Sequence, residues 1–269
     1  MEFRPWSSGR IIHMPNRRLG GCVITFKPEA LRSIGVLEQI TDKVASKEAP
    51  ILLLKTSIGL EDIAEALIIL DLTGLNISIE EIASEIESIP LVDHVEILKP
   101  VTDGVIIDYV HFPPMIMGNR AILMRKILFE ALVKRGYDQF GPIYSVMLYH
   151  IGFHIGVESF REHIEVVNGN KEQALKLAEA MFKHAGFGVL ETDLSIEKGL
   201  GKIRVYGSLE CEVFKEANKP SSHFIRGIIA GWVAALAGEK REVEEIKCIA
   251  AGAPYCEFHI KEAGVEKTL

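Results

Sequence analysis

Near its C-terminus the chain folds back between two cysteines. Glu245-Ile246-Lys247-Cys248 is followed by Ile249-Ala250-Ala251-Gly252-Ala253-Pro254-Tyr255 and then Cys256. Apolar stretches of period two flank this run on both sides, and Gly252 and Pro254 supply a turn between them. A hairpin of this kind brings both thiols toward one point. Two thiolates and the Glu245 carboxylate form an incomplete ligand set for Zn²⁺, which takes four ligands in a tetrahedron. The spacing is not Cys-x-x-Cys, which argues against a redox pair. The competing reading is a pair of buried cysteines acting as small apolar side chains.

Upstream, His111-Phe112-Pro113-Pro114-Met115-Ile116-Met117-Gly118 reads as a linker, because its prolines break regular structure. A length of 269 residues suits two domains. We place them at 19–110 and 119–262. In the first, Cys22–Phe26 reads as a strand. Pro28–Ala45 has helical spacing, with Leu31, Ile34, Leu37, Ile40 and Val44 on one face. Ile51–Leu54 is dense enough for a buried strand. Ile63–Leu72 is a further apolar run, open to a strand or a helix beginning near Ala64. Ser78 with Glu81 is a capping-box signal for a helix over Ile79–Glu87. Val92–Leu98 and Val105–Tyr109 read as strands.

The order strand, helix, strand, strand, helix, strand is the split βαβ pattern. With Gly35-Val36-Leu37 opening its amphipathic stretch, this segment resembles an ACT-like domain, a small ferredoxin-like regulatory module. The resemblance implies an amino acid as a ligand of this domain and a homodimer formed by sheet pairing.

In the second domain, Asn119 is a candidate helix cap and Ala121–Lys134 is amphipathic. Ile143–Phe160 reads as a long, weakly polar helix carrying Gly152 and Gly156. Asn170 caps a helix over Lys171–His184. Phe187–Ser195 and Lys202–Phe214 alternate like strands. Ser221 or Ser222 caps a helix over His223–Ala237, which carries Gly227 and Gly231 and stops at Gly238. Glycines four apart let another backbone approach closely. Arg241–Ile249 and Tyr255–Lys261 form the final hairpin. The expected class is therefore α/β (α+β): a ferredoxin-like N-terminal domain, then helices packed on an antiparallel sheet.

The run Ser221-Ser222-His223-Phe224-Ile225-Arg226-Gly227-Ile228-Ile229-Ala230-Gly231, with Glu245-x-x-Cys248, Gly252 and Cys256-x-Phe258, resembles the 4-vinyl reductase (hydrocarbon-binding) domain family. That resemblance implies a small-molecule-binding module with helices enclosing a pocket. In the family's phenol sensors a zinc ion sits beside the pocket, on ligands that correspond to Glu245, Cys248 and Cys256. The fourth, a cysteine just before the glycine-bearing helix, corresponds to Ser222. Serine is a poor zinc ligand at neutral pH, so the fourth donor must come from Cys211, expected near the end of the preceding strand, or from His223. Thiolate binds zinc well, which favours Cys211.

Tyr149, His150, Phe153, His154, His184 and Trp232 are candidates for an aromatic-ligand cavity, since such pockets are largely apolar with a few polar groups. His150 and His154 are four apart on one helix, without the glutamate of a His-Glu-x-x-His site. The formal net charge of −7 argues against direct nucleic-acid binding. No apolar run reaches membrane-spanning length, and Met1–Pro5 has no leader-peptide core. Four cysteines without a pairing pattern suit a reducing compartment. We therefore expect a cytoplasmic protein that makes no membrane contact. No nucleophile elbow, Walker loop or dinucleotide fingerprint is present. The expected function is a regulatory or sensor protein holding a hydrophobic or aromatic molecule beside a structural zinc ion. The alternatives are a reductase-like enzyme on a hydrophobic substrate, or a scaffold subunit by analogy of fold.

Overall fold

A computed structural model describes residues 3–7, 9–58, 63–215 and 218–263. The chain divides into two compact units, residues 2–123 and 124–269.

The N-terminal unit contains β1 (Ile11–His13), β2 (Leu19–Phe26), α1 (Val36–Ala45), β3 (Ile51–Ile58), β4 (Ala64–Asp71), α2 (Ile79–Glu87), β5 (Val92–Leu98) and β6 (Val105–Ile107). β7 (Met115–Ile116) and β8 (Asn119–Arg120) follow. The main sheet is antiparallel with strand order β3-β4-β2-β5, the order of a ferredoxin-like fold. Alternation along the strands sorts side chains between two faces. Cys22, Ile24, Ile68 and Leu70 pack among Ile40, Val44, Ile82 and Ile86 of the two helices. Val23, Leu67 and Ile69 face the other way and pack with Ile106 of the β1–β6 ribbon. α2 begins at the expected capping box: the Ser78 hydroxyl accepts from the Glu81 N–H (3.2 Å), and the Glu81 carboxylate accepts from the Ser78 N–H (2.7 Å).

Two local expectations are corrected and one open reading is settled. Pro28–Ala45 is not one helix: Pro28–Arg32 is a 3₁₀ turn, and α1 starts only after Gly35, whose φ of +85° leaves the helical region. Of the two readings open for 63–72, the strand is realised. Asn119 caps no helix; it sits in β8, paired with β7 in a hairpin that occupies part of the expected linker.

The C-terminal unit contains α3 (Lys126–Glu130), a π-helical turn (Ala131–Arg135), α4 (Gly136–Phe140), α5 (Pro142–Val166), α6 (Lys171–His184), β9 (Val189–Leu194) and β10 (Gly201–Tyr206). α7 (Leu209–Val213), α8 (His223–Ala237), β11 (Arg241–Lys247) and β12 (Cys256–Glu262) complete it. Its antiparallel sheet has the order β11-β12-β10-β9. Ile203, Val205, Val243, Phe258 and Ile260 of the sheet join Ile225, Ile229 and Val233 of α8 in one core.

The long helices α5 and α8 touch backbone to backbone through their glycines. A Cβ added at Gly152 or Gly156 would lie 2.2 Å from the carbonyl oxygen of Phe224 or Ile228. One added at Gly227 or Gly231 would lie equally close to the oxygen of Tyr149 or Phe153. No side-chain rotation relieves such a clash, so a larger residue there must push the helices apart. This reciprocal contact fixes the rotation of α5: Gly152 and Gly156 face α8, and residues two positions away point outward. Among the described residues no helix is long and apolar enough to cross a membrane.

Candidate metal centre and adjoining pocket

β10 ends at Tyr206, Gly207 turns the chain at φ +59°, and Ser208 caps α7 by accepting from the Cys211 N–H at 3.3 Å. Cys211 therefore lies on a short helix and not near a strand end, because Gly207 and Ser208 interrupt the alternation of Lys202–Phe214. Cys248 follows β11 directly. A 3₁₀ turn over Ile249–Ala251 and Gly252, at φ +90°, then reverse the chain, and Cys256 opens β12. The Cys211 sulfur is 3.5 Å from that of Cys248 and 3.4 Å from that of Cys256. With a Glu245 carboxylate oxygen, all four ligand atoms lie within 4.8 Å of one another.

These separations suit the donor set. Tetrahedral Zn–S bonds of about 2.3 Å imply ligand edges of roughly 3.8 Å. The three cysteines are buried and form no disulfide. Four donors of thiolate and carboxylate type thus meet at one point in the core. His223, the other candidate for the fourth position, is half-buried in the first turn of α8 and lies outside this group.

Ser222 sits inside the cluster. Its hydroxyl donates to Glu245 Oε1 at 2.6 Å and lies 3.0 Å from the Cys211 sulfur. So engaged, it does not cap α8. Glu210 caps that helix instead, its two carboxylate oxygens accepting from the N–H groups of Phe224 and Ile225, both at 2.9 Å. Glu210 is fully buried and adjoins Cys211 in sequence, so the cap ties the helix carrying Cys211 to the helix that begins at Ser222. Sequence reasoning missed Glu210. Its one signal is an acid placed directly before a cysteine, and Glu212 directly after that cysteine makes the signal ambiguous.

Burial pushes the Glu210 and Glu245 carboxyls up to about 8. Hydrogen bonds from Cys248 and Cys256 pull the Cys211 thiol down to about 4. The same bonds, seen from Cys256, hold its proton in place and raise it.

Glu245 also borders an open pocket of about 380 Å³, with Tyr149, His223, Arg226 and Val243 among its walls. The Arg226 guanidinium lies 4.5 Å from the centre of the Tyr149 ring and donates to the Val243 carbonyl at 3.4 Å. Burial lowers the His223 imidazole, which favours its neutral form.

The six residues expected around an aromatic cavity do not converge. Tyr149 lines the pocket. Phe153 packs at the edge of the core, and Trp232 is buried edge-on against Phe182 with its N–H donating to Ser159 (3.1 Å). His150 and His154 are exposed, because they stand two residues from Gly152 and Gly156 and so on the opposite side of α5. His184 is exposed at the end of α6. Cys22 is buried in the other unit, its thiol pushed up to about 12 by burial.

The segment carrying the cluster has known relatives. Residues 202–262 match the family model of the V4R domain. The match holds β10, α7, α8, β11 and β12, and with them all four donors of the cluster. An uncharacterized protein of Methanocaldococcus jannaschii is 27% identical over 151 residues, 56% of this chain and 82% of that protein. A second uncharacterized protein of that organism is 30% identical over 60 residues, 22% of this chain and 37% of the relative. Among solved structures, the phenol-responsive sensory domain of the transcription activator PoxR, with phenol, is similar with a TM-score of 0.49 at 24% identity, over 54% of this chain and 78% of that one. A vinyl-4-reductase family protein of M. jannaschii has a TM-score of 0.35 at 21% identity, over 54% and 99%. The ACT domain of a Chlorobium tepidum GTP pyrophosphokinase has a TM-score of 0.25 at 15% identity, over 31% and 100%.

Proposed function

We propose that this chain is a cytoplasmic regulatory sensor whose C-terminal unit binds a small hydrophobic or aromatic molecule beside a structural zinc ion. The observation that carries the reading is the double placement of Glu245, in the four-donor cluster and in the wall of the pocket. The V4R match over these elements supports it. Cys211, Glu245, Cys248 and Cys256 would hold the ion. When bound it supplies a fixed positive centre that pins the β11–β12 turn to α7. Glu210 and Ser222 orient Cys211 and Glu245 around that point. Tyr149 offers an aromatic face to the ligand, and Arg226 and His223 offer donors.

Elemental analysis and calorimetry with phenol as the aromatic probe test the reading together. About one zinc per chain is expected, with saturable phenol binding that Tyr149→Ala weakens while zinc content stays constant. Folded protein without metal would end the zinc assignment. Absence of aromatic binding to metal-replete protein would end the sensor assignment.

A further inference from the structure

We infer that the pocket beside the cluster selects a small aromatic acid and that Arg226 holds the ligand's carboxylate; this assignment rests on the pocket being the ligand site proposed above. Arg10, Arg17, Arg204 and Arg241 each meet a carboxylate within 3.1 Å. Arg226 is half-buried in the first turn of α8, yet among the described residues it pairs with no carboxylate. In a chain whose 37 acidic side chains outnumber its 30 lysines and arginines, that makes it an exception. The guanidinium is also held in place. One face lies over the Tyr149 ring, 4.5 Å from its centre, and Nη1 donates to the Val243 carbonyl at 3.4 Å. The N–H groups of Nε and Nη2 make no hydrogen bond among the described residues. They form the edge that meets a carboxylate with two parallel hydrogen bonds. A guanidinium fixed in this way loses little further freedom when it binds.

The remaining walls fit the same ligand. His223 lines the pocket, and its neutral ring carries one N–H as a further donor. Tyr149 and Val243 give an aromatic ring something to pack on. A volume of about 380 Å³ lies near the small end of the ~300–1,000 Å³ range of ligand sites, which suits a single ring. Three carboxyls share the wall, and none is an ion-pair partner of Arg226. Glu244 is paired with Lys261 at 2.7 Å. Glu245 accepts from the Ser222 hydroxyl within the cluster. Glu242 is exposed, where water and salt screen its charge.

Calorimetry of the full chain with benzoate, benzamide and phenol tests the assignment. Benzoate and benzamide have nearly the same shape and differ in charge. Benzoate should bind about 10- to 100-fold more tightly than benzamide, the worth of hydrogen bonds to a charged group. Arg226→Gln should bring the two affinities together. Arg226→Lys, which keeps the charge and loses the fork, should leave an intermediate ratio. The ratio is read within each variant, so a general loosening of the pocket does not imitate a loss of charge recognition, and circular dichroism checks the fold. A wild-type chain that binds benzamide or phenol but holds benzoate no more tightly would overturn the assignment and leave the ligand site standing. So would a benzoate preference that survives Arg226→Gln, because the anion would then rest on another cation. Binding of none of the three would overturn the ligand site and the assignment together.

Discussion

Each unit buries carboxylates, and they resolve the cost of doing so in opposite ways. In the N-terminal unit the Asp108 side chain is fully buried, and Arg10 reaches it at 2.6 Å. It also accepts from the N–H groups of Val110 (3.0 Å) and His111 (3.1 Å), and the His111 ring lies at 2.8 Å. Burial alone would raise its pKa; the His111 hydrogen bonds and the His111 and Arg10 charges outweigh that and hold it below the usual carboxylate value. In the C-terminal unit Glu210 and Glu245 are pushed up, and among the described residues their hydrogen-bond partners are N–H, hydroxyl and thiol groups, with no basic side chain. One carboxylate is packed with its own cation. Of the other pair, Glu245 stands among three cysteines as the fourth donor of the cluster, and Glu210 caps α8 beside it. The contrast separates a carboxylate kept charged by a cation of the same fold, a structural staple, from carboxyls that burial favours in the neutral form, and it is the second kind that an added cation would convert to the charged form.

The largest expected effect breaks the contrast at its metal end. Cys248→Ser should reduce zinc from about one per chain to near zero and destabilise the C-terminal unit by on the order of 5 kcal/mol, since binding free energy at a structural zinc is folding free energy. Hydrogen exchange resolves the effect by unit: protection should fall in β11, β12 and α7 and persist in β2 and β4. Equal protection and unchanged metal content would return Cys248 to an ordinary buried thiol. Next in size is Asp108→Ala, which leaves Arg10 without its carboxylate and should cost the N-terminal unit about 3 kcal/mol by denaturant unfolding, with zinc content unchanged.

Acid should act on the staple in a defined direction. The folded-state pKa of Asp108 lies below its unfolded value of about 3.9. Its contribution is therefore complete above that value and is lost as pH falls through the folded pKa. The stability of the N-terminal unit should decline over that acid window in the wild-type chain. Asp108→Asn should flatten the decline, and an unchanged slope would assign it to other groups.

What could be foreseen from the residues follows the range of the interactions. α8 was legible to the residue, because its stop at Gly238 and its start after Ser222 are local signals. The approach of Cys248 and Cys256 was legible because a turn of a few residues enforces it. That Cys211 joins them depends on Gly207 and Ser208 breaking a strand-like run, and then on packing against a turn some forty residues away. The outward direction of His150 and His154 depends on which side of α5 meets α8. The glycine pairs at 152/156 and 227/231 carried that information, but only when combined across two distant helices. Glu210 was illegible for a sharper reason: its role as a cap exists only because Ser222, the local cap, is engaged with Glu245.

That exchange of caps yields the smallest expected effect and the finest test of the contrast. Glu210→Gln preserves one of the two acceptors that hold the first turn of α8. Losing one cap interaction should cost about 1 kcal/mol, well below the loss for Asp108→Ala. It should also loosen Cys211, its neighbour in sequence, and weaken zinc up to about tenfold, the lower end for groups that orient metal ligands. Chelator competition at neutral pH reads the affinity, and thermal unfolding of the zinc-loaded chain reads the stability. A tenfold loss of affinity with a small loss of stability makes Glu210 a residue that positions the cluster. A stability loss as large as that of Asp108→Ala would mean that Glu210 carries a full charge balanced within the fold. The C-terminal cluster would then be a second staple, and the distinction between the two units would fail.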